Sequence, residues 1–458
     1  MTAAGQTASV DVLQQAKAAR EAAQVLAATS FETRKNLLKN FQHHLREHQE
    51  KIVAANSVDL ERAASSGAKQ SLVSRLKLTE AKLASALSGI DDLLAIKDDP
   101  LGKCTLARTV TQSLNLFRVS APIGVLCIIY EARPEAGIQI ASLAMMSGNA
   151  LLLKGGSDAS ESNRAVFAAL SAAIRHTDGV PDASIQLVEA REEITALLKM
   201  KDYIDLIIPR GSNSLVDFIQ RNTMIPVMGH ADGLCSMYVG ETADIPLAVK
   251  VALDAKTNYP AACNAIETLL VHHKIADKFL PAFAEVAVKF DISFVADEKC
   301  AIFLPSDRTG PVSENDWDKE WLELKLAVKA VENVQEAVAH INTHGSRHTD
   351  VIASSDDQEI DYFMNNVDAA GVFANCSSRF ADGYRYGFGA EVGIATGKIH
   401  ARGPVGIEGL LIYKYKMFGK GNTVGEMGSE GHEYVHKDID GVVGEGKSID
   451  YKFNETLL

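Results

Sequence analysis

Five stretches of the chain carry residues whose types and spacing can do chemistry. In TNYPAACNAIETLLV (257–271), Cys263 lies among small residues just before an apolar run. A loop of small residues leaves a thiol open to a ligand, and neighbouring backbone N–H groups can lower its pKa, as a nucleophile requires. A cysteine packed as a small buried hydrophobe leaves the same trace. In SGNALLLKGGSDAS (147–160) a strand-like run ends at Lys154, two glycines make a tight exit, and Ser157 and Ser160 stand near a helix start. Backbone N–H groups freed by glycine beside a helix N-terminus suit a phosphate-bearing ligand. IPRGSNSLV (208–216) repeats the arrangement with Gly211 and Ser212. Neither is a G-x-G-x-x-G motif or a P-loop, and ordinary strand-to-helix turns account for both equally well.

The fourth stretch, HINTHGSRHTD (340–350), spaces His340, His344 and His348 at i, i+4 and i+8. On one helical face three imidazoles would ligate a metal. Gly345 and Ser346 interrupt that face and it holds no carboxylate, so the expectation is a helix C-terminus with histidine in its last turn, and no metal. The fifth, RFADGYRYGFGAEVGIATGKIHARGPVGIEGL (379–410), combines many glycines with Arg379, Arg385 and Arg402. Guanidinium forks of this kind hold carboxylate or phosphate; ion pairs explain them as well.

These residues must be positioned by regular elements. Residues 10–100 show apolar positions recurring at three and four, with Ala, Gln, Glu and Lys dominant, and read as helices. Residues 105–120 alternate Thr, Val and Leu with polar residues, the pattern of two short strands or a β-hairpin. From 123 the pattern becomes strand then helix, repeated: strands at 123–130, 149–154, 184–188 and 203–209, with helices through Met146 and over 160–175, 192–200 and 212–221. That alternation predicts a parallel sheet with crossover helices, in which ligands collect at the carboxyl ends of the strands. A second α/β stretch spans 231–400, and the tail from 405 reads as strand and loop.

Composition bounds the whole. At 458 residues, with 47% hydrophobic and 23% charged content, the chain predicts a globular protein of two or three domains. A net charge of −13 repels nucleic acid on average. No apolar run approaches the roughly 20 residues of a membrane span. The first thirty residues lack a signal peptide's apolar core, and Glu21 and Glu32 argue against a mitochondrial presequence, so a cytoplasmic location is expected. The cysteines at 104, 127, 235, 263, 300 and 376 form no CxxC pair, which fits reduced thiols.

Together these segments resemble the aldehyde dehydrogenase superfamily and, within it, the γ-glutamyl phosphate reductases. The resemblance runs from about 10 to 420 and rests on APIGVLCIIYEARPE, SGNALLLKGGSDASESN, PRGSNSLV, MGHADGLC, DAKTNYPAACNAIETLLVH and RYGFGAEVGIATGKIHARGPVG. VENVQEAVAHINTHGSRHTDVI (331–352) resembles a stretch that the reductases carry and sibling dehydrogenases lack. The resemblance implies an α/β, aldehyde dehydrogenase-like fold: a parallel-sheet cofactor-binding domain (1–104 and 121–229), an α/β catalytic domain (230–402), and a β-hairpin oligomerisation element with the tail (105–120 and 403–458). It implies Cys263 as nucleophile, Lys154 at the adenosine ribose, and Gly211 and Ser212 near the pyrophosphate. Arg133, His230, Arg379 and Arg402 are candidates to hold substrate.

The departures are informative. Hydrolytic relatives carry a glutamate about thirty residues before the nucleophile to activate water; here MGHADG offers His230 and no glutamate, which spares a thioester from hydrolysis and points to reduction. NAD-preferring relatives place a glutamate three residues after the lysine, where it would repel a 2′-phosphate; Ser157 removes that repulsion, so NADPH is expected. The superfamily's oxyanion asparagine falls near Ala132 and is not carried over, leaving the Cys263 backbone N–H as the candidate donor. The implied activity is NADPH-dependent reduction of L-glutamyl 5-phosphate to L-glutamate 5-semialdehyde through a cysteine thioester, in proline biosynthesis. The alternative is an NAD(P)-dependent dehydrogenase oxidising a small aldehyde to the acid. A homo-oligomer (dimer or tetramer) and transient contact with glutamate 5-kinase are the expected partners.

Overall fold

The structure is a computed structural model that describes residues 3–68, 70–189, 193–230, 232–428 and 433–443. Ala231 of the MGHADG stretch, residue 192 of the expected helix, and 429–432 and 444–458 of the expected tail lie outside the described residues. The chain forms two compact units, the first drawn from Met1–Met228, Phe388–Gly393 and Val405–Leu458, the second from Gly229–Gly387 and Ile394–Pro404.

In the first unit the helical reading of 10–100 resolves into Ala3–Leu26, Phe31–Glu47, Gln49–Ser65, Gln70–Leu76 and Glu80–Leu94. Local chemistry sets their starts: the Ser30 side chain accepts from Thr33 N–H, and Thr79 accepts from Lys82 N–H. Leu37, Leu38, Phe41 and Leu45 supply the buried stripe of the second helix. Four parallel strands follow in the order Ile185–Leu187, Ala150–Gly155, Val125–Tyr130, Leu206–Arg210. Val125–Tyr130 and Ala150–Gly155 are buried at every position, as strands covered on both faces must be. The expected strand at 203–209 starts only at Leu206, because Tyr203 and Ile204 close a turn back onto Met200. Cys104–Thr111 and Leu114–Pro122 form the antiparallel hairpin, and Leu411–Phe418 pairs along its outer side.

The second unit is built on seven parallel strands in the order Thr309–Pro311, Ser293–Ala296, Lys325–Val331, Ile266–His272, Cys235–Val239, Thr349–Ala353, Gly371–Ala374. Leu269, Val328, Phe279, Phe283 and Phe294 join one buried cluster against it. The helix Val334–His344 is capped by Asn333 and stops at Gly345. His344 therefore sits in the last turn, where it pairs with Asp318, while His340 is buried edge-on to Trp317. Burial and the nearby Lys329 ammonium pull the His340 pKa down to about 3. His348 leaves the helix altogether and stands at the head of the Thr349–Ala353 strand. No helix among the described residues is long and apolar enough to cross a membrane.

Candidate active site

Parallel pairing places the starts of Ile266–His272, Cys235–Val239 and Thr349–Ala353 side by side. Each strand is entered past a reactive side chain: Cys263 in the turn before the first, His230 in the loop before the second, His348 directly before the third. Cys263 Sγ and one ring nitrogen of each histidine all lie within 4.8 Å of one another. In the second unit the reactive cluster thus occupies the amino-terminal edge of the sheet, unlike the carboxyl-end position expected for ligands of the first unit's sheet. The reason is that the residues with chemistry sit in the incoming segments, which converge only at that edge.

The turn carrying Cys263 is held from several sides. It runs from the end of the helix Ile245–Thr257 to the strand at Ile266, with Ala262 N–H donating to Tyr259 O and Ala265 N–H to Ala262 O. Lys256 and Glu267, on either side of the turn, form a fully buried ion pair at 2.6 Å. Burial pushes the Glu267 carboxyl up to about 7, and the Lys256 ammonium opposes that rise. Removing one partner of such a pair strands a buried charge, a loss of about 3–5 kcal/mol. The Ser378 hydroxyl donates to Asn264 O at 2.5 Å, and the Asn264 side chain donates to Ala381 O at 2.8 Å. The Cys235 thiol donates to the Cys263 carbonyl at 3.2 Å.

Gly233 is the tightest constraint. A Cβ there would stand 2.2 Å from the Cys263 carbonyl oxygen, 2.5 Å from its Cα and 2.6 Å from its Cβ. Only glycine lets the segment after His230 pass this close to the thiol-bearing turn. Cys263 itself is partly exposed, whereas Cys104, Cys127, Cys235 and Cys300 are buried. Burial pushes the Cys127 thiol up to about 12 and raises Cys376 as well.

Both histidines are oriented by a second partner. His230 Nδ1 lies 2.7 Å from Ile394 O, which can only accept, so Nδ1 carries a proton. His348 Nδ1 bonds the Thr349 hydroxyl at 2.9 Å, and its buried Nε2 has no hydrogen-bond partner among the described residues. The two rings meet edge to face, 4.9 Å between centroids. Arg379 is 9% exposed and donates from Nε to Asn258 O at the start of the turn, 2.5 Å. Burial and the charge of Arg385 lower its pKa, and Cys263 pulls the other way, so guanidinium and thiol feel each other. Arg402 instead bonds Asp368 at 3.0 Å, a carboxylate it shares with Lys398.

The remaining residues singled out above lie in the first unit, at the carboxyl ends of its parallel strands. Lys154 is buried near the end of Ala150–Gly155, its ammonium 2.7 Å from Gly155 O. Ser157 is exposed at the start of the short turn that follows. Arg62, on the helix Gln49–Ser65, bonds the Ser160 hydroxyl at 3.0 Å and Ser157 O at 3.3 Å. The buried Asp59 aims that guanidinium while also accepting from Ser162 N–H at 2.8 Å. Nothing in the amphipathic pattern of that helix marks Arg62. At the neighbouring strand end, Ser212 N–H donates to Glu131 at 2.8 Å, and a Cβ on Gly211 would meet the same carboxylate at 2.5 Å. Ala132 takes φ 44° ahead of the helix Pro134–Met146, and Arg133 is that helix's N-cap.

The sequence profile of the aldehyde dehydrogenase family matches residues 1–302. A γ-glutamyl phosphate reductase from Synechococcus sp. is 49% identical over 437 residues, covering 94% of this chain and 98% of the relative. One from Pelotomaculum thermopropionicum is 45% identical over 430 residues, with the same two coverages. The crystal structure of the Thermotoga maritima γ-glutamyl phosphate reductase superposes with a TM-score of 0.86 at 37% identity, over 90% of this chain and 99% of that one. The chain belongs to the γ-glutamyl phosphate reductases of the aldehyde dehydrogenase family. It is accordingly an oxidoreductase, in a family that uses a nicotinamide cofactor. An acetylating aldehyde dehydrogenase from Geobacillus thermoglucosidasius shares the fold, at 17% identity and a TM-score of 0.65.

Gly233→Ala must displace the Cys263 turn. It should lower kcat by about 100-fold, the scale of a 1 Å misplacement, with the affinity for the nicotinamide cofactor unchanged. Steady-state rates beside a cofactor titration check this; near-normal turnover would contradict it.

Proposed function

We propose that the protein reduces L-glutamyl 5-phosphate to L-glutamate 5-semialdehyde, with Cys263 as the covalent nucleophile and NADPH as the reductant. The observation that carries this reading is the partly exposed Cys263 thiol flanked by His230, His348 and Arg379. The thiol loses its proton to an imidazole Nε2, and sulfur attacks the γ-carbonyl carbon. The tetrahedral oxyanion, met by the Cys263 backbone N–H, collapses with cleavage of the C–O bond to phosphate. Arg379, electrostatically linked to the thiol, is favoured over Arg402 for the anionic groups of the substrate, because Arg402 is already paired with Asp368. Arg133, at a helix start in the first unit, stays a candidate for an anion.

The nicotinamide, when bound, supplies the hydride that reduces the thioester; C–S cleavage then frees the aldehyde and returns the thiolate. His230, where a hydrolytic relative would hold a glutamate, leaves the thioester without a carboxylate base to activate water. That argues against the oxidising alternative, as does the close identity to reductases. The cofactor's adenosine end fits the first unit. Lys154 and Ser157 stand at one strand end, and Gly211 and Ser212 at another where a Cβ has no room. The Arg62 guanidinium beside Ser157 gives a 2′-phosphate a cation, which supports NADPH over NADH.

The three-part division is read onto the chain in the same way: cofactor domain in 1–104 and 121–229, catalytic domain in 230–402, oligomerisation element in 105–120 and 403–458. The exposed Ile412, Tyr413, Tyr415 and Met417 on the sheet-edge strand Leu411–Phe418 support a homo-oligomer formed there. Six free cysteines support a reducing, cytoplasmic setting. The lability of the acyl phosphate supports transient contact with glutamate 5-kinase.

Cys263→Ala should abolish reduction while NADPH affinity survives; appreciable turnover in the variant would defeat the nucleophile assignment. Ser157→Glu and Arg62→Ala should each shift the ratio of NADPH to NADH efficiency toward NADH by about tenfold or more, the effect of about 1.4 kcal/mol. Unchanged ratios in both would remove the cofactor argument.

A further inference from the structure

The cluster at the amino-terminal edge of the seven-stranded sheet contains more ligand chemistry than thiol attack requires. One thiol and two imidazoles converge, with the three donor atoms within 4.8 Å of one another. In both imidazoles the far nitrogen is engaged by a second partner, as it is in metal-binding histidines. For His230 the far nitrogen donates to Ile394 O; for His348 it bonds the Thr349 hydroxyl. His348 is wholly buried and its Nε2 has no hydrogen-bond partner among the described residues, a state that is costly for a polar nitrogen sealed from water. Cys263 and His230 are partly exposed, which gives an ion a way in.

The geometry points to a reversible binding site for a soft divalent cation, zinc above all, formed by Cys263 Sγ, His230 Nε2 and His348 Nε2. Zinc takes such sulfur and nitrogen donors at about 2.3 and 2.0–2.1 Å in a tetrahedron, which sets donors roughly 3.5 Å apart and needs the cluster to contract by about 1 Å. Three protein ligands leave the fourth position to water. Binding replaces the thiol proton by the metal, so the proton leaves to solvent and affinity rises with pH. A metal-held sulfur is withdrawn from acyl transfer, so the ion inhibits, and it shields the thiol from alkylation or oxidation until a chelator removes it. The Arg379 charge beside the thiol opposes the cation, which keeps the site reversible. A second His/Glu group, His43, His44 and Glu47, carries no sulfur and is distinguishable on that ground.

The site depends on the three side chains and not on which acyl group the enzyme reduces, so the two readings fail separately. The test is a cobalt(II) titration of the full chain without substrate, followed by zinc competition. The expected result is a sulfur-to-cobalt charge-transfer band saturating at one equivalent, displaced by zinc, and lost in Cys263→Ala. Zinc should also slow iodoacetamide labelling of Cys263, with the rate restored by EDTA. His348→Ala should weaken zinc by at least about tenfold with NADPH binding retained as the check on folding; His348→Gln replaces it should the alanine variant not fold. A wild-type enzyme that turns over substrate but shows no charge-transfer band refutes the site. So does a folded His348 variant that binds zinc as the wild type does.

Discussion

Cys263 is where it is because the backbone at Gly233 passes through space that a single methyl group would fill. That contact joins two segments thirty residues apart in sequence and sets the distance between thiol and His230. Around it the Lys256–Glu267 pair fixes both ends of the turn, and hydrogen bonds to Asn264 O from Ser378 and to Cys263 O from Cys235 hold its middle. The pair contributes little net stability once desolvation is counted, but breaking it is expensive, so it works as a register pin. A nucleophile that attacks a short-lived acyl phosphate benefits from such pinning, because the attack geometry is then present before the substrate arrives.

On the proposed reading, the two units present their candidate residues at opposite ends of their parallel sheets. In the first, the Lys154, Ser157, Gly211 and Ser212 positions occupy the carboxyl ends of parallel strands, the usual place for a nucleotide. In the second, the reactive side chains gather at the amino ends, on segments entering three adjacent strands. The same architecture serves both because each edge of a parallel sheet brings sequence-distant segments together.

Much of the fold was legible in the sequence. The apolar runs at 123–130 and 149–154 showed no alternation, and they are the fully buried strands. The hairpin at 105–120 followed from period-two alternation, and the partial exposure of Cys263 agrees with its small-residue loop. What was not legible depends on contacts between distant positions. His348 shares an i+8 spacing with His340, which suggests one helical face; Gly345 ends the helix, and the ring turns to Cys263 instead. Gly233 looks like any loop glycine until Cys263 is placed against it. Arg62 lies on an ordinary amphipathic helix, and only the packing of that helix against the Ser157 turn brings its guanidinium to Ser157 O and the Ser160 hydroxyl.

The central claim is that sulfur at position 263 becomes covalently acylated. Mixing the enzyme with freshly generated γ-glutamyl phosphate in the absence of NADPH, quenching in acid and mapping peptides by mass spectrometry tests it directly. The account predicts one γ-glutamyl group on the peptide bearing Cys263, lost on adding NADPH. An unmodified Cys263 peptide under conditions that support turnover, or acylation at another residue, would contradict it.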